Sequence, residues 1–182
     1  MRRSRLISDR AWRILTKRDA PRFDRLLALD YGRTLDVGCG QGYFTTLLAL
    51  KGIDVTAVDN TESRLEAARD LARINGAHVT FIHADARSLP FDDFDTVVCL
   101  ETLEHITDWQ AALGECARIA RSNLYITVPA KGAMTRNKGH VNDFDPEEIA
   151  ERLDGFTVTT DVEWPFSYII ARRERHADAV HE

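Results

Sequence analysis

Asp36-Val37-Gly38-Cys39-Gly40-Gln41-Gly42 is the part of this 182-residue sequence whose spacing most constrains its chemistry. Glycine lets a backbone turn sharply and approach a bound molecule closely. The run follows a short apolar stretch and precedes a helical pattern, the strand-to-helix setting a nucleotide loop needs. A dinucleotide loop has the spacing G-x-G-x-x-G. Here Gly38 and Gly40 fit, but Tyr43 stands where the third glycine would fall. Asp36 would repel a pyrophosphate and suits a ligand with a cationic end and no phosphates. Asp36, Gly38, Cys39, Gly40 and Gly42 are the candidate ligand contacts, with Cys39 as a small residue of the loop.

Glu101-Thr102-Leu103-Glu104-His105 is a second cluster. Positions 101, 104 and 105 are three and four apart, so one helical turn sets them on one face. An imidazole between two carboxylates has the composition of a general acid–base site. Glu101, Glu104 and His105 are the candidate catalytic residues; the plainer alternative has His105 only packing beside the ligand.

Positioning these groups requires a scaffold, and helix and strand patterns alternate along the chain. That alternation predicts a parallel sheet with helices on both faces. Strands are expected over Thr34 to Val37, Asp54 to Val58, Val79 to His83, Phe94 to Leu100 and Leu124 to Val128. Phe156 to Glu163 and Tyr168 to Ala171 complete the set, joined around Trp164-Pro165. Helices are expected over Ser8 to Lys17, Phe44 to Lys51, from Thr61 to Gly76, and Trp109 to Ala120. Pro21 interrupts the first of two N-terminal stripes, and Phe23, Leu26 and Leu27 begin the second. Asp145-Pro146-Glu147-Glu148 has the cap, first-turn proline and acid of a helix start. Ala130 to Asn142 reads as a long polar loop, with Lys131, Arg136 and Lys138 available to an anionic partner.

Composition is that of an ordinary globular domain, at 44% hydrophobic and 29% charged residues. No apolar run approaches a membrane span and no secretory pattern follows the basic N-terminus, so a cytoplasmic protein without a membrane partner is expected. Cys39, Cys99 and Cys116 form no CxxC pair, consistent with reduced thiols. Residues 1–33 carry ten Lys/Arg against four Asp, leaving a net charge of -11 on the rest of a chain whose total is -5. The expected division is a basic helical arm or lid at 1–33, a ligand-binding domain at 34–171 and a polar tail at 172–182.

The Asp36–Gly42 loop, with Asp59 in Val58-Asp59-Asn60 and Asp85 in His83-Ala84-Asp85-Ala86, resembles the class I S-adenosylmethionine-dependent methyltransferases over roughly residues 30 to 171. The resemblance implies an α/β, Rossmann-like, doubly wound sheet of seven mostly parallel strands, the last antiparallel. It implies S-adenosylmethionine as cofactor. In that family the acid at Asp59 accepts both ribose hydroxyls, and the position of Asp85 reads the adenine amino group. With Asn60, Ala86 and Glu101 these join the loop residues as expected cofactor contacts. The Glu101–His105 segment is similar to the Glu-x-x-Glu-His motif of quinone-pathway O-methyltransferases. It is also similar to that of small-RNA 2′-O-methyltransferases, which pair it with a later histidine to hold a divalent metal. The resemblance makes Glu101, Glu104, His105 and His140 a candidate metal set, an oxygen and nitrogen shell of suitable chemistry. The expectation is O-methylation of a small hydroxylated metabolite. An RNA 2′-hydroxyl acceptor and a non-catalytic cofactor-binding partner subunit are the alternatives.

Overall fold

A computed structural model describes residues 20–133 and 139–173 of the chain. The expected helix over Ser8 to Lys17 lies outside those residues, as do Arg136, Lys138 and the tail beyond Arg173.

β1 (Thr34–Val37), β2 (Val55–Asp59), β3 (Thr80–His83), β4 (Phe94–Leu100), β5 (Ala120–Pro129), β6 (Phe156–Glu163) and β7 (Phe166–Arg173) form one sheet in the order β3-β2-β1-β4-β5-β7-β6. Neighbours from β3 through β5 pair in parallel. β7 runs antiparallel between β5 and β6. The central strands are buried on both faces, as β1 is at all four positions, because crossover helices cover a parallel sheet on both sides. Side chains alternate across each strand. Val97 and Cys99 of β4 join a core with Trp109, Leu113 and Cys116 from α4 (Trp109–Ile119) and Ile149 from α5 (Pro146–Ala150). Val98 faces the other way, toward Phe23 and Leu26 of α1 (Ala20–Leu27) and Phe44 and Leu48 of α2 (Tyr43–Leu50). α3 (Glu62–Asn75) packs Leu65, Ala68 and Ala72 inward beside β2 and β3.

Several local expectations shift. Pro21 lies in the first turn of α1, ahead of Phe23, Leu26 and Leu27, where its missing N–H costs little; the earlier stripe lies outside the described residues. β5 begins directly at the end of α4. β7 continues through Arg172 and Arg173, which the sequence assigned to the tail. Asp145 occupies the cap position of α5 and Pro146 follows it, yet its side chain makes no cap bond. Its carboxylate instead meets Lys131 Nζ at 3.1 Å, so the capping box does not form. Thr61 likewise precedes α3 without a side-chain cap bond.

Candidate active site

The C-terminal ends of β1, β2 and β4 open onto a cavity of about 490 Å³, within the usual range for a small-ligand site. Asp36, Gly38, Cys39 and Gly40 line it from the loop after β1. Asp59 and Asn60 line it from β2, Asp85 and Ala86 from the segment after β3, and Glu101 and His105 from beyond β4. The structure therefore gathers around one cavity groups that are up to 69 residues apart in sequence. Gly42, Glu104 and His140 do not line it.

The loop is shaped by its own glycines. Gly40 has φ +56 and no heavy atom within 4 Å of where a Cβ would stand, leaving its backbone open to a ligand. Gly42 has φ +74 at the start of α2, and a Cβ there would lie 2.7 Å from Ala68 Cβ. Gly42 thus serves close packing of the loop on α3, and Gly40 serves the cavity.

Asp59 ties the loop to β2. Its Oδ2 accepts from the Gly40 N–H at 2.9 Å and its Oδ1 from the Thr61 N–H at 2.9 Å. A carboxylate oxygen has more than one lone pair, so both oxygens can still accept ribose hydroxyls. Asp36 lies deeper and accepts a hydrogen bond from Thr45 Oγ1. Burial above all raises its carboxyl from 3.8 to about 7; the Thr45 bond opposes that and the charge of Asp59 adds to it. Asp85 is partly exposed, with its carboxylate engaged by Arg87 at 2.5 to 3.1 Å. The Arg87 hydrogen bonds hold that carboxyl at about 2. Burial pushes the Cys39 thiol well above its ordinary range, which favours the neutral thiol over the thiolate.

The Glu101–His105 cluster does not form one face. Glu101 has φ 51, in the left-handed region, and directs Oε1 to Arg22 Nη1 at 3.3 Å. Leu103–His105 forms one 3-10 turn. Glu104 is fully buried there, and both its side-chain oxygens are enclosed without a hydrogen-bond partner. Burial and the nearby Glu101 raise its pKa. His105 and His140 stack edge to face at 4.7 Å. Ligand atoms of Glu104, His105 and His140 lie within 4.8 Å of one another. These three could hold a divalent ion: one oxygen donor and two nitrogen donors suit such a metal, and Glu104 Oε1, without a hydrogen-bond partner, lies 4.0 Å from His105 Nε2. Glu101, expected as a fourth ligand, lies outside that group because it pairs with Arg22.

Sequence reasoning missed Arg22 and Arg87. Arg22 lines the cavity from α1, 7% exposed, with its guanidinium 4.5 Å from the Phe166 ring centroid. Nothing in its local sequence distinguishes it from the nine other basic residues of the 1–33 segment. Arg87 stands two residues after Asp85, and that spacing is the signal that could have found it.

Residues 35–128 match the methyltransferase domain family, which is more than half of the chain. The protein belongs to this family, and its cofactor is S-adenosylmethionine. Among curated proteins it is 42% identical over 77 residues to the ubiquinone biosynthesis O-methyltransferase of Rickettsia felis, covering 42% of this chain and 32% of that one. It is 36% identical over 101 residues to the enzyme of the same name from Aromatoleum aromaticum, covering 54% and 43%. The chain thus aligns with less than half the length of either relative. Among solved structures it resembles magnesium protoporphyrin IX methyltransferase from Synechocystis PCC 6803 with bound S-adenosylhomocysteine (SAH). The TM-score is 0.71 at 22% identity, with 85% of this chain and 81% of that chain covered. No helix among the described residues is long and apolar enough to cross a membrane.

Proposed function

We propose that the protein methylates an oxygen of a small hydroxylated acceptor, with His105 as the general base. The observation that carries this reading is the fixed orientation of His105. Its Nδ1 lies 2.9 Å from the Gly139 carbonyl oxygen. A carbonyl only accepts, so Nδ1 carries the proton and Nε2 carries the lone pair. His105 lines the same cavity as the cofactor loop.

The donor supplies an electrophilic methyl group on a positively charged sulfur. Asp36 and the Gly38–Gly40 backbone would hold its cationic end, and Asp59 its ribose hydroxyls. Asp85, Asn60 and Ala86 border the adenine end. His105 Nε2 would take the acceptor hydroxyl proton as the oxygen bonds to the methyl carbon and the carbon–sulfur bond breaks, its electron pair returning to a neutral thioether. Glu101, paired with Arg22, borders the acceptor side, and α1 brings the end of the basic arm over it. The oxygen acceptor agrees with the name of the curated relatives.

A second reading rests on the Glu104, His105 and His140 cluster. A divalent ion there would chelate vicinal hydroxyls and lower an acceptor pKa, and an RNA 2′-hydroxyl would then be the substrate. Metal analysis of the purified protein, combined with labelled methyl transfer to catechols and to short RNA, separates the two. Transfer to a catechol that survives chelation supports the first reading. Metal-dependent transfer to RNA overturns it.

A further inference from the structure

Two distant segments meet at the mouth of the cavity. The 3-10 turn Leu103–His105 carries Glu104 and His105, and the segment 139–142 carries His140. Their seam is a set of hydrogen bonds. The Val141 N–H donates to the Glu104 carbonyl at 2.8 Å, and the Asn142 N–H reaches the same oxygen at 3.3 Å. His105 Nδ1 meets the Gly139 carbonyl at 2.9 Å. The Asn142 side chain adds two more, from Nδ2 to the Leu103 carbonyl at 3.2 Å and to the Ile106 carbonyl at 2.8 Å. Two carbonyls facing one carboxamide leave a single sensible orientation, with the NH2 group toward both.

A 3-10 turn this short has poor hydrogen-bond geometry and little cohesion of its own. Its shape depends on what it is bonded to, and Asn142 spans it from Leu103 to Ile106. We propose that Asn142 is a positioning residue: its carboxamide clips the 139–142 segment to the 103–106 turn, so that the Gly139 carbonyl holds the Nδ1 proton of His105 and leaves Nε2, 4.0 Å from Glu104 Oε1, without a proton. The inference rests on the reading of His105 as the reacting imidazole. Asn142 itself touches neither donor nor acceptor. Its effect runs through the backbone: the clip fixes Asn142, and Gly139 lies three residues upstream. When the segment lifts, Nδ1 loses its acceptor and the two neutral tautomers of His105 interconvert. Nε2 then carries the proton for part of the time and cannot accept one. A brace that merely stabilised the turn would change stability and leave the tautomer alone.

The test needs no acceptor. Long-range 1H–15N NMR of the full chain, at a pH where His105 is neutral, reads the protonation of each ring nitrogen. His105→Gln identifies the signal. Wild type is expected to show a fixed Nδ1–H tautomer, and Asn142→Ala an averaged pair. Asn142→Asp keeps the size but sets a carboxylate against two carbonyls, so it is expected to match Asn142→Ala. Asn142→Ser, a milder change, is expected to fall between. The Val141 amide should exchange roughly tenfold faster in Asn142→Ala, the factor matching about 1.4 kcal/mol of lost hydrogen bonding. Calorimetry with SAH should show unchanged affinity in each variant, which certifies the fold. A fixed tautomer in Asn142→Ala, or wild-type spectra in Asn142→Asp, overturns the proposal. Unimpaired methyl transfer by His105→Asn would instead refute the base reading while leaving the tautomer result standing.

Discussion

The backbone N–H of Gly40 donates to Asp59 Oδ2 at 2.9 Å, so the acid at the end of β2 holds the glycine loop at the end of β1. One carboxylate thereby shapes the loop and offers its remaining lone pairs to the cavity. Asp59→Ala removes both functions. The expected loss in SAH affinity is about 2 kcal/mol or more, as for a lost acceptor of charged hydrogen bonds. Asp59→Asn, which keeps one oxygen acceptor, should lose less. Isothermal calorimetry giving equal affinity for wild type and Asp59→Ala would remove Asp59 from the site.

Gly40 and Gly42 should separate under mutation to alanine. Both have positive φ, at +56 and +74, and a Cβ in that region costs about 1–2 kcal/mol. Gly42→Ala also drives a Cβ to 2.7 Å from Ala68 Cβ, an overlap that adds about 1–3 kcal/mol. Gly40→Ala meets nothing but projects into the cavity. Urea unfolding is expected to rank Gly42→Ala as the less stable variant. Calorimetry is expected to show Gly40→Ala losing cofactor affinity out of proportion to its stability. The reverse ranking would mean the two glycines have been assigned the wrong tasks.

What the sequence disclosed and what it withheld follow from the range of the interactions. β1 and β4 run over Thr34–Val37 and Phe94–Leu100, the residues expected, because dense apolar runs bounded by polar turns mark buried strands. The glycine loop and the acid after β2 were legible because backbone conformation and charge demand those residue types locally. The Arg22–Glu101 pair was not, since it depends on how α1 lies across the ends of β4 and β7. Helical spacing at 101, 104 and 105 suggested one shared face, but the left-handed backbone at Glu101 turns it toward Arg22. At Asp145 the local cap signature was present, and a lysine 14 residues upstream outcompeted it.

Stability and cofactor binding should respond to pH in opposite directions through Asp36. Its carboxyl, near 3.8 in an unfolded chain, is held at about 7 by burial. Between those values the folded state keeps a proton that the unfolded state has lost, so stability of the ligand-free protein falls as pH rises through that window. Glu104, also raised by burial, adds a slope of the same sign, so the informative comparison is with Asp36→Asn. That variant should show a flatter dependence. A cationic ligand favours the carboxylate, so affinity for S-adenosylmethionine should climb as pH rises toward and past about 7, with release of a proton. Calorimetry in buffers of different ionisation enthalpy measures that proton. Identical pH slopes in wild type and Asp36→Asn would show that Asp36 does not titrate there.

His105 should separate chemistry from binding. The proposed cofactor contacts lie at the ends of β1, β2 and β3, with Glu101 alone beyond β4, while His105 enters from the turn after β4. Replacing it by asparagine keeps a polar group of comparable shape and removes the Nε2 lone pair. Loss of a positioned general base costs typically 10²–10⁴ in rate, so labelled methyl transfer to a catechol acceptor should fall by about that factor. SAH affinity should stay within error of wild type, because Asp36 and Asp59 are untouched. Glu104→Gln gives the companion measurement. It replaces the buried carboxyl behind His105 and His140 by a carboxamide of similar volume that cannot ionise to meet a metal, so it should abolish any binding of cobalt(II) read by its visible absorption. If His105 acts as a metal-free base, Glu104→Gln should leave most of the transfer rate in place. If transfer collapses with cobalt binding in Glu104→Gln and chelation stops the wild type, His105 is a ligand, and the metal supplies the activation assigned here to its Nε2.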